Sequence, residues 1–474
     1  MKRFALLLTA FVASVGSLVP VEPSRAEIVW SGDIDPADPT TWTASTTGYV
    51  GKTADGTLTV DGDSDLLSQN GYIGYDSGAS GQVTVSGTGS TWNNHDFFEV
   101  GRYGNGTLVI SDGGTVTNTI VGNSNASTCI GTGYGSTGTV TVDGAGSTWN
   151  NNRALYVGRS GTGALAITGG GAVNNGYGLI SFSDSTGHVT VSGDNSTWTN
   201  RDDLVVGGYG RAMLVITDGG AVSNVSAYVG NLWDSIGTVT VSGSTSTWTS
   251  SGTLYIGRYG SGRLNITDGA SILADGMTYV GYDAKSTGRI DFSSGGGTLT
   301  TQSLQASPAQ LTGTGTINTR GLVSDVDLAF DSLHGLQQTL TITGRPGQNI
   351  TLNLDMSDPD NVGDLGAGCA GNGSLTIRDG RTVRSLQGYV GLRARSSGTV
   401  SVHGPGSTWD TSDSLTVGHR GSGTLTIAAG GKVTSESGSI GNYYGSMGIV
   451  TVEGIGSTWT NRGSLKVGGT LNVT

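Results

Sequence analysis

Two acidic groups have the residue types for metal chemistry. Asp61, Asp63 and Asp65 stand at alternate positions, and Asp355, Asp358 and Asp360 form a looser second set. Carboxylates spaced in this way can offer oxygen ligands to Ca²⁺. The first set lacks the glycine and distal glutamate of an EF-hand loop, and the Gly-Gly-x-Gly-x-Asp nonapeptide of calcium β-rolls is missing. A row of arginines, Arg102, Arg159 and Arg258, each follows a Val-Gly or Ile-Gly pair. Arginine beside acidic groups would suit work on polysaccharides, but no carboxylate keeps step with this row, so a solvated turn is expected. The histidines, His95, His188, His334, His403 and His419, have no metal-ligand spacing. Glycine-rich loops follow strands without opening a helix, which excludes a phosphate cradle. No catalytic residue and no cofactor is assigned.

Tryptophan and asparagine recur instead. Trp42, Trp92, Trp149, Trp198, Trp248, Trp409 and Trp459 are separated by 50, 57, 49, 50, 161 and 50 residues. As an exposed stripe they could stack on sugar rings. They align, however, with Val116, Val173, Val222 and Val433 in intervening segments, and an apolar slot shared with valine points inward. Two residues later come Asn94, Asn118, Asn151, Asn175, Asn200 and Asn224, thinning to Thr411, Ser435 and Asn461 near the C-terminus. These are expected at one corner of each layer, where Asn accepts left-handed backbone and stacked amides bond along the column. Both sets are assigned structural roles.

The elements that must position these residues follow from the period. The phrase Gly138 to Asn151, G-T-V-T-V-D-G-A-G-S-T-W-N-N, returns at Gly81–Asn94, Gly187–Asn200, Gly237–Ser250, Gly398–Thr411 and Gly448–Asn461. A weaker copy lies between successive tryptophans, as at Leu155 to Asn175, so each 50-residue unit is two coils. The turn glycines at 51, 74, 101, 131, 158, 207, 230 and 257, with Ser181 in the same slot, step mostly by 23 and 27 in alternation. Apolar residues at i and i+2, as in Val140 and Val142, give the period of a strand with one buried face. Three short strands per coil of about 25 residues predict an all-β, right-handed parallel β-helix of ~18 coils.

Residues 1–26 combine Met1-Lys2-Arg3, an apolar run and small residues before Glu27, the pattern of a cleaved secretory signal. Residues 27–45 are expected to cover the first coil, since an open end is an unpaired edge. The repeat array occupies 46–299, an irregular β segment 300–365, and a second array 366–474 whose last copy is short. A bulged loop is expected near Thr119 to Ser127, where the long step adds residues. The net charge of −12 argues against nucleic acid and against anionic membrane surfaces. No apolar run after the signal predicts membrane insertion. Cys129 and Cys369 lie too many coils apart to pair.

The phrase G-x-V-T-V-S-G-x-G-S-T-W-x-N and its companion L-x-V-G-x-x-G-x-G-x-L-x-I resemble the roughly 50-residue repeat of bacterial type V autotransporter passengers and PEP-CTERM-linked exported proteins. That resemblance implies an exported β-helix, exposed at or beyond the outer membrane, with no catalysis of its own. Its implied partners are extracellular polysaccharide, matrix, or a host or neighbouring cell surface. No terminal β-barrel and no Pro-Glu-Pro sorting signal is read after Trp459. The alternative is a polysaccharide-active β-helix enzyme with its site in 300–365, and a third reading is a Ca²⁺-dependent matrix protein.

Overall fold

The computed structural model describes residues 27–119, 127–293 and 295–474. The signal assigned to 1–26, and most of the loop expected near 119–127, lie outside the described residues. The chain is a parallel β-solenoid of about 17 turns, with no α-helix among the described residues. No helix there is long and apolar enough to cross a membrane.

Each coil contributes three strands. One full coil consists of Thr137–Asp143 on the first face, Thr148–Asn151 on the second and Leu155–Val157 on the third. The next coil repeats them at Thr162–Thr168, Ala172–Asn175 and Gly178–Ile180. Parallel pairing is residue for residue: Val140 on Leu165, Val142 on Ile167, Trp149 on Val173 and Tyr156 on Leu179. On the first face every second side chain is buried, and Thr or Ser occupies many positions between. Coils turn from the third face back to the first through the Val-Gly corner. Gly101 has φ +73°, and a Cβ there would lie 2.2 Å from the Thr137 carbonyl oxygen, so the corner needs glycine. Ser181 holds the same conformation at φ +63°, its hydroxyl donating to the Ser185 carbonyl at 2.7 Å.

The repeated tryptophans explain the two-coil period. Trp92, Trp149, Trp198, Trp248 and Trp409 are fully buried; Trp459, in the last coil, is partly covered, and Trp42 is buried beside the first coil. Each indole in the array stacks between valines or other aliphatic side chains of adjacent coils, so large and small residues alternate along the core. The indole N–H reaches the end of the strand one coil earlier. Trp198 donates to Asn175 Oδ1 at 2.7 Å, Trp248 to Asn224 Oδ1 at 2.8 Å, and Trp92 and Trp409 to the hydroxyls of Ser68 and Ser385.

The asparagines are strand ends rather than left-handed corners: none of the six has positive φ, and all are buried. Pointing inward, they bond along the column. Asn94 donates to Asn118 Oδ1 at 2.8 Å, Asn175 to Asn200 Oδ1 at 2.7 Å and Asn224 to Ser250 Oγ at 2.8 Å. At the long step Thr128 is inserted into the ladder, accepting from Asn118 at 2.6 Å and donating to Asn151 Oδ1 at 3.0 Å. There, among the described residues, Trp149 Nε1 and Asn151 Nδ2 have no partner.

The ends and the middle depart from parallel stacking. Glu27–Gly32 and Ile34–Asp35 pair antiparallel with Gly56–Asp61 and Thr47–Val50, covering the first coil with strands. In the middle, Leu311–Thr319 bends from the first face to the second, and Asn349–Asp355 stacks on it in parallel. Gln337–Ile342 then pairs antiparallel with Asn349–Asp355, closing a hairpin that ends the second face. The first face resumes at Asp327–Phe330 and the second at Thr382–Ser385. Only the third face runs through, with Gln305 on Val323, Val323 on Gly366 and Gly366 on Tyr389. Cys129 and Cys369 are both free and buried.

Replacing Trp198 by Ala removes a buried indole and should cost about 3–5 kcal/mol. Trp198→Phe keeps most of the volume but strands the Asn175 carbonyl oxygen, a penalty of about 1–3 kcal/mol. Trp149→Phe, which loses no hydrogen bond, should be milder than Trp198→Phe. Denaturant melts of the three variants check this order, and equal losses for the two Phe variants would contradict the indole–amide link.

Candidate functional site

With tryptophan and asparagine turned inward, the outer chemistry falls to the third face and its corner. The middle residue of each third-face strand points outward, and over much of the column it is aromatic: Tyr49, Tyr72, Tyr156, Tyr228, Tyr255, Tyr279 and Tyr389. Coils one layer apart bring these rings into stacks. Tyr228 and Tyr255 lie 5.1 Å apart at 7°, and Tyr255 and Tyr279 lie 4.9 Å apart at 11°. Residues just after the corner glycine fold back over this row and half-bury it.

The arginine row belongs to that outer layer and is not a solvated turn. The Arg102 guanidinium lies 4.7 Å from the Tyr75 ring centre and 5.1 Å from that of Tyr72. Arg258 sits 5.0 Å from Tyr228 and 5.1 Å from Tyr259, and Arg159 is 5.9 Å from Tyr156. Such cation–aromatic contacts hold the charge at the surface while covering ring area. A carboxylate does keep step with Arg102: buried Glu99, whose Oε2 lies 3.5 Å from Arg102 Nε. Burial raises the Glu99 pKa against the opposing pull of Arg102. Tyr72, between Glu99 and its stacked neighbours, is pushed up to about 12, chiefly by burial.

Among the described residues no three His, Cys, Asp or Glu side chains converge as metal ligands. Asp65 accepts from the Thr91 hydroxyl, and Asp63 adopts a left-handed turn at φ +71°. Asp355 accepts from Ser357 N at 3.0 Å, Ser357 Oγ at 2.6 Å and Gln337 Nε2 at 3.0 Å, while Asp358 accepts from Asp360 N at 3.2 Å. These bonds lower the Asp355 pKa and commit its oxygens to the turn. Of the histidines, His334 is tied to Asp331, which also binds Arg378 at 2.7 Å and anchors the base of the hairpin to the next coil.

A notch interrupts the outer layer where the irregular segment crosses the third face. Gln305, Val323 and Gly366 replace tyrosine on three successive coils between Tyr279 and Tyr389. The corners on either side close over the gap: Arg393 Nη2 reaches the Gln305 carbonyl at 3.5 Å, and Arg420 Nη1 lies 3.9 Å from Asp283 Oδ2. What remains is a cavity of about 140 Å³ lined by Tyr279, Tyr282, Gln305, Tyr389, Leu392, Arg393, His419, Arg420 and Tyr443. The His419 ring lies edge-on between Tyr389 and Tyr443, at 5.7 and 4.9 Å, and burial lowers its pKa below the ordinary value. Behind the notch, Asp364 is fully buried, its oxygens accepting from Gln305 Nε2 at 3.0 Å and Gln387 N at 3.3 Å. Burial outweighs both bonds and lifts its pKa to about 6.

Sequence reasoning missed this outer layer, although the signal was present as the tyrosine within L-Y-V-G and A-Y-V-G. The fold and its surface define an all-β solenoid with a half-buried aromatic and cationic outer face. In one stretch of 110 residues, 23% of the chain, it is 34% identical to the adhesin BmaC autotransporter of Brucella suis biovar 1 (strain 1330). That stretch is 3% of the adhesin's length. No protein family profile matches the chain, and no solved structure matches it.

Asp364 generates a pH prediction. Its folded pKa of about 6 lies above the ordinary aspartate value of 3.8, so its stabilising contribution is full below the lower value and lost as pH rises through the upper. His419, with its lowered pKa, acts oppositely, losing stability as pH falls below its ordinary value of 6.5. Asp364→Asn removes the first effect and keeps the second. The melting temperature of the native chain relative to this variant should therefore rise as pH falls from about 7 to about 5. A difference that stays flat across that window would show the carboxyl to be hydrated.

Proposed function

We propose that this chain is the rod of an exported, adhesive, passenger-like protein without catalysis of its own, carried to the cell surface or released. The observation that carries this reading is the unbroken third face, which holds aromatic and guanidinium groups outward along the column while the core is spent on stacking. Similarity to a stretch of an autotransporter adhesin supports the same direction. The signal read in residues 1–26 supplies the export step. Binding partners of this class are extracellular polysaccharide, matrix, or the surface of a host or neighbouring cell. Aromatic faces take apolar sugar faces, and arginine takes their anionic groups.

One observation favours a second reading, a polysaccharide-active enzyme. Asp364 lies at the end of the irregular segment and holds a pKa of about 6, the range of a general acid. Against it, the carboxyl is fully buried behind Gln305 and does not line the notch.

Displayed in full on a non-adherent bacterium, the chain should confer retention on polysaccharide-coated or cell-coated surfaces under flow, and surface protease should release it. Display without retention on any such surface would sink the adhesive reading. Chain shortening or new unsaturated ends in those polysaccharides would establish the enzyme instead.

A further inference from the structure

The notch has features that the rest of the outer layer lacks. Elsewhere Arg102 and Arg258 are each surrounded by three tyrosine rings, and Glu99 balances the former, whereas Arg420 at the notch lies over one ring, Tyr443, at 5.0 Å. At the notch two guanidiniums, Arg393 and Arg420, come from successive corners of one block and lean across a gap. Their polar contacts there are long: 3.5 Å from Arg393 to a carbonyl and 3.9 Å from Arg420 to Asp283. Contacts at these distances leave donors of both forks free to turn to a ligand.

The remaining walls are aromatic. Tyr282 and Tyr443 are exposed at the rim, Tyr389 lies at the floor, and His419 stands between Tyr389 and Tyr443. A space of about 140 Å³ admits one ring-sized group, not a folded peptide loop or a whole oligosaccharide. The rest of a chain lying along the third face would pass over neighbouring corners. Positive charge at this point is local, because the protein as a whole carries −12.

We propose that the notch is a subsite for an acidic polysaccharide, taking one uronate residue with its ring at the rim against Tyr443 and its carboxylate on Arg393 and Arg420. Planar guanidinium matches carboxylate in a two-point fork, and the tyrosine face matches the C–H face of a pyranose. Gln305, buried at the back, offers its amide edge to ring hydroxyls while its Nε2 stays on Asp364. Asp283 at the rim is displaced from Arg420 by the incoming carboxylate. This inference rests on the adhesive reading and adds the ligand class and the residues.

Calorimetric titration of the full chain with hexamers of polygalacturonate, of alginate and of neutral maltose units tests it. Binding of at least one uronate hexamer and none of maltohexaose is expected, weakening with added salt. Arg420→Gln and Tyr443→Ala should each weaken it by about tenfold or more. Tyr134→Ala, at an exposed corner outside the notch, should leave it unchanged, and circular dichroism melts of every variant should match the native chain. No uronate binding, equal binding of maltohexaose, or binding indifferent to Arg420→Gln would overturn the subsite. A preference for sulfated over uronate hexamers would also overturn it. Adhesion of the displayed chain is measured in parallel. Retention that survives Arg420→Gln and Tyr443→Ala rejects the notch alone, and retention absent from the native chain rejects the adhesive reading.

Discussion

Everything in this molecule depends on residue-for-residue register between consecutive coils. A parallel ladder leaves the backbone N–H and C=O groups of one coil to be satisfied by the next, so a slip of one residue would turn every inward side chain outward. Two devices hold that register. The corner glycine is held at positive φ against the carbonyl of the next coil, and Ser181 in the same slot keeps that conformation with its hydroxyl bonded to the Ser185 carbonyl. The buried indole fixes the second face by reaching the Asn or Ser one coil away. A buried carbonyl without its N–H costs more than the bond itself contributes, which makes the pair a specifier of alignment as well as a source of stability.

That same constraint separates structure from function in space. Interior positions are occupied by Val, Leu, Ile, Trp and Asn in a strict order, so chemistry can vary only outside. On the first face the outer positions are largely small hydroxyl residues. On the third face they form a second, thinner layer in which tyrosines stack at the coil spacing and arginines lie over them. The irregular segment breaks the first and second faces with a hairpin yet leaves the third continuous. Along the break Gln305, Val323 and Gly366 replace tyrosine on three coils, and the notch is the consequence. A single local irregularity thereby converts a uniform surface into one with a distinct place on it.

The sequence revealed the coil, its three strands and the inward tryptophan slot because each is a local pattern repeated many times. Val173 and Trp198 share a slot in the alignment, and they share it in the core. What stayed hidden was the outer layer. Tyr156 sits between Leu155 and Val157, so strand alternation marks it as outward and therefore wet. Alternation says nothing of the corner residues of adjacent coils that fold back over it. The pairing of the arginines is hidden for the same reason, since Glu99 and Arg102 belong to one corner but to different segments of the phrase. The asparagine spacing marks one position per coil, but the side chains are buried at strand ends and not in left-handed corners. The notch arises where Gln305, Val323 and Gly366 stand in place of tyrosine, and Arg420 and Asp283 meet there only through the packing of two separate blocks.

Hydrogen–deuterium exchange of the full chain, with and without the surface polysaccharide to which it adheres, tests most directly whether the third face carries the interaction. Protection should appear at the corners near residues 281–286, 391–396, 418–421 and 442–446, with the first-face strands unchanged. Protection confined to the hairpin at Gln337–Ile342 and Asn349–Asp355, or to the outer positions of the first face, would contradict the account.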